Sequence, residues 1–444
     1  MQYLFVLGKN WLLSVAELIA CMDNNDVPGR VVDFSRNVCI YETEKRLDVD
    51  RLVEIQSSLG GCYKTATVID TYDAKTVIRA FPKSGRADLE ARREVLSCRW
   101  LGSVWKDARR KTVRFAVSTY PVSKRSRVDL RKLTLGIDET VKDMLTERGA
   151  KKVSYYVYEG PDRRDPERPN TALWPHTLAR HGLLRPPNAE IILAFTESSV
   201  YVGKTAAVYD SIFQRHRDEN RPYVVAEITT SPKLCRALLN LAGVRSGQVI
   251  LDPFCGTGTV LMEAALLDIE CVGLDIDPRA IDGTKSNMRW LGSIIGDRLR
   301  FSVVRGDARR AHQILERVFD AIVSEPPLGP VYKDIPTWDE AQKSMIALTQ
   351  LYQESLRSLS NILKPKGKLA MTLPVVSTEL GPVSIDLAEM TRDTGFRVCD
   401  PFPRDRVVDN RGVISKKLRE DRPALPERKR GQIVQREVIT LCKT

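Results

Sequence analysis

Apolar positions along the chain repeat with two different periods. Short apolar runs at Gln2 to Leu7, Asn37 to Tyr41 and Thr65 to Asp70 predict strands, and the three-to-four spacing over Leu12 to Met22 and Val49 to Leu59 predicts helices. This β-α-β-α-β order predicts a small α+β unit of split-βαβ type over residues 1–84. A second unit is expected over 85–205. Its alternating strand, Thr112 to Tyr120, follows the basic stretch Lys106, Arg109, Arg110 and Lys111. A long amphipathic helix from Leu130 to Glu147 comes next, then strands at Lys152 to Tyr158, Glu190 to Phe195 and Ser199 to Lys204. The Pro- and Arg-rich stretch Gly160 to Arg168 has no period and reads as a loop.

From Tyr209 to Val224 the chain turns polar and charged, which suits a linker, placed at 206–229. The remainder, 230–444, opens with a helix at Lys233 to Ala242 and then alternates strand and helix. Strands are expected at Gln248 to Leu251, Glu270 to Leu274, Leu299 to Val304, Phe319 to Val323 and Lys368 to Thr372, with helices starting near Thr259, Pro278 and Ala341. That alternation predicts an α/β parallel sheet. After residue 395, Phe396 to Cys399 and Glu437 to Cys442 predict a closing antiparallel pair joined by a long basic segment.

Composition narrows the partners more than the fold. A formal net charge of +12 over 444 residues points to a polyanion. No apolar run approaches the ~20 residues needed to span a bilayer, and the first residues lack a basic lead, so no membrane partner and a cytoplasmic location are expected. The nine cysteines form no C-x-x-C pair and the four histidines do not cluster, so neither a metal site nor a disulfide framework is expected.

Three loops following strands carry the candidate chemistry. The first is Asp252-Pro253-Phe254-Cys255-Gly256-Thr257-Gly258, between a strand and a helix. Its glycines allow a tight turn and close approach of a ligand to the backbone. Asp252 is placed to accept from a ligand amine, and Asp275, at the next strand end, to hold the two hydroxyls of a ribose. A nicotinamide dinucleotide competes for this reading. However, Leu261 stands where the third glycine of G-x-G-x-x-G belongs, and an acid suits the cationic end of S-adenosylmethionine better than a pyrophosphate. The second loop, Gly306-Asp307-Ala308, offers an acid for an adenine amino group. The third is Ser324-Glu325-Pro326-Pro327-Leu328, a rigid extended loop at the ligand-binding edge of such a sheet. An exocyclic amine is a poor nucleophile because its lone pair is delocalised into the base. Acceptors for its protons, here the Glu325 carboxylate and the Pro326 carbonyl, favour the pyramidal transition state.

Taken together, these motifs resemble the class I S-adenosylmethionine-dependent methyltransferases that act on amino groups. With Arg221-Pro222, Thr230-Ser231-Pro232-Lys233-Leu234 and the opening Phe5-Val6-Leu7-Gly8, the chain resembles the THUMP-containing tRNA guanine-10 N2-methyltransferases. The resemblance implies a Rossmann-like catalytic domain preceded by ferredoxin-like and THUMP domains, with adenosylmethionine as cofactor. It implies tRNA, or another structured RNA, as partner, with the target base flipped into the pocket. Cofactor-binding residues are then Asp252, Phe254, Cys255, Gly256, Thr257, Gly258, Asp275, Asp307, Ala308 and Ser324. Glu325, Pro326, Pro327 and Leu328 form the catalytic loop. Basic residues at Lys106 to Lys111, at Arg163-Arg164 and from Lys416 to Arg430 are candidates for the phosphate backbone.

The loop departs from the family pattern of Asp or Asn, Pro-Pro and an aromatic. Glu325 is one methylene longer, and Leu328 cannot stack on a base, with Tyr332 or Trp338 as replacement rings. Methylation of a guanine in ribosomal or other RNA, a protein glutamine methyltransferase, and a non-catalytic RNA-binding relative therefore stay open. So does the need for a small activating protein partner. A monomer is expected because one chain carries both RNA-binding and catalytic parts.

Overall fold

Strand β1 (Gln2–Leu7) is buried from Tyr3 to Leu7, so it must be covered on both faces. The computed structural model, which describes residues 1–123, 126–157, 171–225, 230–428 and 431–444, shows how. Strands β1, β2 (Gly29–Phe34), β3 (Val38–Thr43) and β4 (Cys62–Asp73) alternate with the helices Trp11–Asn24 and Val49–Ser58 in the order βαββαβ. Their spatial order is β2-β3-β1-β4, the ferredoxin-like arrangement. Sequence periodicity missed β2 because Arg30 and Asp33 interrupt its apolar run. They are tolerated because β2 is an edge strand, open on one side.

The second unit supplies β5 (Thr112–Tyr120), β6 (Lys152–Tyr156), β7 (Ala189–Phe195) and β8 (Ser199–Val208). Strand β8 pairs antiparallel with β4, so among the described residues the first two units share one eight-stranded sheet, β2-β3-β1-β4-β8-β7-β5-β6. The helix Leu130–Glu147 has the bounds its periodicity predicts. Three helices, Ala74–Ala80, Leu89–Leu96 and Leu101–Val104, occupy a stretch for which no elements were expected. Gly160 to Arg168, with Arg163-Arg164, lies outside the described residues.

A second sheet holds β9 (Val249–Asp252), β10 (Glu270–Asp275), β11 (Phe301–Arg305), β12 (Phe319–Ser324), β13 (Leu363–Thr378), β14 (Gly381–Ser384), β15 (Phe396–Cys399), β16 (Leu425–Glu427) and β17 (Val434–Lys443). Its main path is β11-β10-β9-β12-β13-β17-β15. The first five strands are parallel, and β17 enters antiparallel between β13 and β15. This is the parallel sheet with an antiparallel close expected from the pattern. The chain order reverses between β9 and β12, and open α/β sheets bind ligands at such a switch point. Pairing of β15 with β17 also brings Cys399 and Cys442 together, Cα atoms 6.1 Å apart, in a disulfide. No disulfide framework was expected, and this one bridge joins two of the nine cysteines. The two lie 43 residues apart, and only the strand pairing makes them neighbours.

The segment read as a linker contains a helix, Ser211–Asn220, capped by Asp210. Its Arg217 is 4% exposed and donates to Glu263 (2.7 Å), whose other oxygen takes Arg236 (2.6 Å). The charge pattern suggested a solvated strand of chain, but the counter-charge sits on a distant helix, Thr259–Ala265. The sheets are also joined through apolar packing. The helices Trp11–Asn24 and Pro232–Leu241 belong to one core with Leu18, Met22, Leu234 and Leu238. Within it the buried Glu17 carboxylate accepts from the amides of Gly60 (2.6 Å) and Gly61 (2.7 Å) and from Asn240 (3.2 Å). Among the described residues no helix is long and apolar enough to cross a membrane.

Candidate active site

The three loops meet at the carboxyl ends of β9, β10, β11 and β12. Backbone bonds knit them: Cys255 N–H donates to Leu274 O (3.0 Å) and Gly306 N–H to Asp275 O (2.9 Å). The glycine loop is braced from behind by the helix Pro278–Ile295, where Thr284 donates to Gly256 O (2.7 Å) and Asn287 to Thr257 O (2.9 Å). Gly258 has φ +80° and its absent Cβ would lie 2.7 Å from Thr284 Cγ2, so conformation and packing both require glycine. Gly256, at φ +51°, has only the Phe254 carbonyl 4.0 Å from the place a Cβ would take. The bare backbone there faces open space that a ligand can enter, as a nucleoside cofactor needs.

Leu261, which argued against a dinucleotide, is fully buried, and the close approach is supplied from the strand side. A Cβ on Gly273 would meet Leu261 Cδ2 and Cys255 Sγ at 2.9 Å each.

Asp252 is 2% exposed and accepts from Ser324 Oγ (2.5 Å) and the Phe254 amide (3.2 Å). Burial outweighs these bonds and pushes its carboxyl up to about 7. Asp275 accepts from the Gly256 amide (2.9 Å) on one oxygen and the Asp277 amide (2.9 Å) on the other. A carboxylate has about four acceptor positions, so both oxygens keep capacity for ribose hydroxyls. Asp307 caps the short turn that follows it and is bound by the Arg309 guanidinium (2.7 Å), which holds its carboxyl below the usual range. Its acceptor capacity for an adenine amine is therefore shared with Arg309. Ala308 and Cys255 are buried, Phe254 is half-buried, and Thr257 is within 3.3 Å of Thr259.

In the loop expected to be catalytic, Pro326 is buried, Pro327 exposed and Leu328 half-buried. The Tyr352 hydroxyl, from the helix Trp338–Ile362, donates to the Pro327 carbonyl and anchors the loop. Glu325 is paired with Arg436 of β17. Of the two replacement rings, Tyr332 is half-buried with its hydroxyl on Ser344 (2.8 Å), and Trp338 is 37% exposed. Sequence reasoning missed Arg436, Tyr352 and the bracing pair Thr284 and Asn287.

Comparison with known proteins agrees with this geometry. A family described as "RMKL-like, methyltransferase domain" matches residues 221–378, and a DNA methylase family matches 138–286, a range that crosses from the first sheet into the second. A tRNA (guanine(10)-N2)-dimethyltransferase of Methanothermobacter thermautotrophicus is 39% identical over 171 residues, 38% of this chain and 46% of the relative. The protein of that name from Methanocaldococcus jannaschii is 32% identical over 196 residues, 43% of this chain and 51% of the relative. The chain thus spans about half the length of the curated relatives it matches. The crystal structure of TrmN from Thermus thermophilus aligns over 100% of both chains with a TM-score of 0.52 at 16% identity, which shows a shared fold. Residues 221–378 thus match a methyltransferase domain family, and the C-terminal half of the chain is similar to tRNA (guanine(10)-N2)-dimethyltransferases.

Proposed function

We propose that this chain transfers a methyl group from S-adenosylmethionine to the N2 amino group of a guanine in tRNA, with position 10 the first candidate from the names of its relatives. The observation that carries the reading is the 2.5 Å bond from Ser324 to Asp252. It ties the strand end that leads into Glu325 to the one that leads into the glycine loop, so donor and acceptor loops are neighbours.

Adenosylmethionine supplies an electrophilic methyl group on a sulfonium sulfur. The chain's residues do the rest. The bare Gly256 backbone, in a turn that Gly258 permits, would let the cofactor lie close, Asp275 would hold its ribose hydroxyls, and Asp252 would pair with its cationic amino-acid end. Glu325 and the Pro326 carbonyl accept hydrogen bonds from the two N–H groups of the target amine, which localises its lone pair for attack, and the carboxylate is placed to take the one proton released as the N–C bond forms. Tyr352 fixes the loop so that little reorganisation remains at the moment of reaction. The +12 charge suits a tRNA backbone. The chain acts as a monomer in this reading, and a small activating protein stays a candidate partner.

The test is methyl transfer from labelled adenosylmethionine to unmodified tRNA, ribosomal RNA and a glutamine-containing peptide, followed by digestion and mass spectrometry. N2-methylguanosine from tRNA is expected. Label in the peptide or only in ribosomal RNA would assign a different substrate, and binding of RNA without transfer would make the chain a non-catalytic relative.

A further inference from the structure

The pair between Glu325 and Arg436 lies directly at the proposed acceptor loop. Its side chains are 8% and 12% exposed. Arg436 stands on β17 opposite Pro374 of β13, so its side chain reaches past β13 to the end of β12. It engages one carboxylate oxygen, Oε1, through Nε. The other oxygen, Oε2, is buried and has no hydrogen-bond partner among the described residues.

A buried charge pair kept only for stability gains most when a planar guanidinium takes both carboxylate oxygens. Here one oxygen is left unsatisfied inside the protein, which is costly unless something else fills it. That oxygen belongs to the residue the methyl-transfer reading takes as the acceptor. The extra methylene of glutamate also finds a use, since it carries the carboxylate to the guanidinium on β17.

We infer that Arg436 is a positioning residue, which holds Oε1 of Glu325 so that Oε2 is presented as the acceptor for an N–H of the target amine. This rests on the methyl-transfer reading of Glu325. Arg436 touches neither substrate nor cofactor in this role and acts through the carboxylate alone.

The experiment compares full-length wild type with Glu325→Gln, Arg436→Met, Arg436→Lys and the double variant Glu325→Gln/Arg436→Met. For each, kcat and KM for tRNA, adenosylmethionine affinity by equilibrium dialysis, and melting temperature are measured. Arg436→Met should lower kcat about 10- to 100-fold, the scale of a small misplacement of a reacting group. KM for tRNA and cofactor affinity should stay within about twofold. Arg436→Lys should fall between, because a point charge lacks the planar fork. The double variant should be no slower than Glu325→Gln, since a positioning residue has nothing left to position.

Removing arginine alone strands a buried carboxylate, so Arg436→Met can lose stability. The double variant, which removes both charges, keeps the test available. Wild-type kcat in Arg436→Met, or a double variant slowed by the product of the two single effects, would overturn the inference while leaving Glu325 as acceptor. Wild-type kcat in Glu325→Gln would overturn the acceptor reading and this inference with it.

Discussion

Burial lifts the Asp252 carboxyl to about 7, although it already accepts two hydrogen bonds. An ordinary aspartic acid, and so the unfolded chain, titrates near 3.9. The stabilising contribution of this raised group is full below about 4 and lost as pH rises through about 7. A bound cation reverses the preference, because it favours the ionised form. Adenosylmethionine binding should therefore tighten between pH 6 and 8 and release a proton, seen by calorimetry in two buffers of different ionisation heat. Asp252→Asn should bind roughly 10-fold more weakly and lose the pH slope, since about 1.4 kcal/mol corresponds to one unit. An unchanged slope would remove Asp252 from the cofactor site. At this scale the glycines and acids were legible because the motif lies within a single strand-turn-helix. Arg436 was not, because it meets Glu325 from 111 residues away.

Elements impose their own constraints on these residues. Gly258 caps the helix Thr259–Ala265 in a left-handed conformation. Gly258→Ala should cost about 1–3 kcal/mol of stability from backbone strain and weaken cofactor binding, read by urea unfolding and equilibrium dialysis. Stability equal to wild type would show that the turn relaxes to a conformation alanine accepts and that Thr284 moves aside. The helix Leu130–Glu147 presents a different case. Asp138 is fully buried on its packed face, neither oxygen has a partner among the described residues, and burial raises its carboxyl to about 8. Its contribution is present in acid and lost as pH rises through about 8. Asp138→Asn keeps the neutral form, so its advantage over wild type should grow from pH 6 to pH 9 in urea midpoints. A constant difference would mean that Asp138 finds a partner. Helix periodicity revealed this element and its bounds, but a charged letter on the apolar stripe gave no hint of its environment. Strand β2 was lost for the complementary reason, since an edge strand need not be apolar.

Across the whole molecule, the first unit and the catalytic sheet share a core through the helices Trp11–Asn24 and Pro232–Leu241. Glu263 adds a charged joint, taking Arg217 and Arg236 on separate oxygens. Glu263→Ala leaves two buried guanidinium groups unpaired and should cost about 3–5 kcal/mol, measured as a fall in the urea midpoint. A change under 1 kcal/mol would show that water reaches both. The parallel sheet of the second half and its antiparallel close were legible because βαβ units repeat in sequence, though their spatial order was not. The single sheet shared by the first two units was not, because it depends on β4 pairing with β8 across more than a hundred residues.

These scales converge on Glu325, the residue through which the fold would do chemistry. The most direct test measures N2-methylguanosine formed in unmodified tRNA by wild type and by Glu325→Ala, with adenosylmethionine binding checked in both. The account predicts product from the wild type and a loss of at least about 100-fold in the variant, with cofactor binding retained. Equal product from both would contradict it.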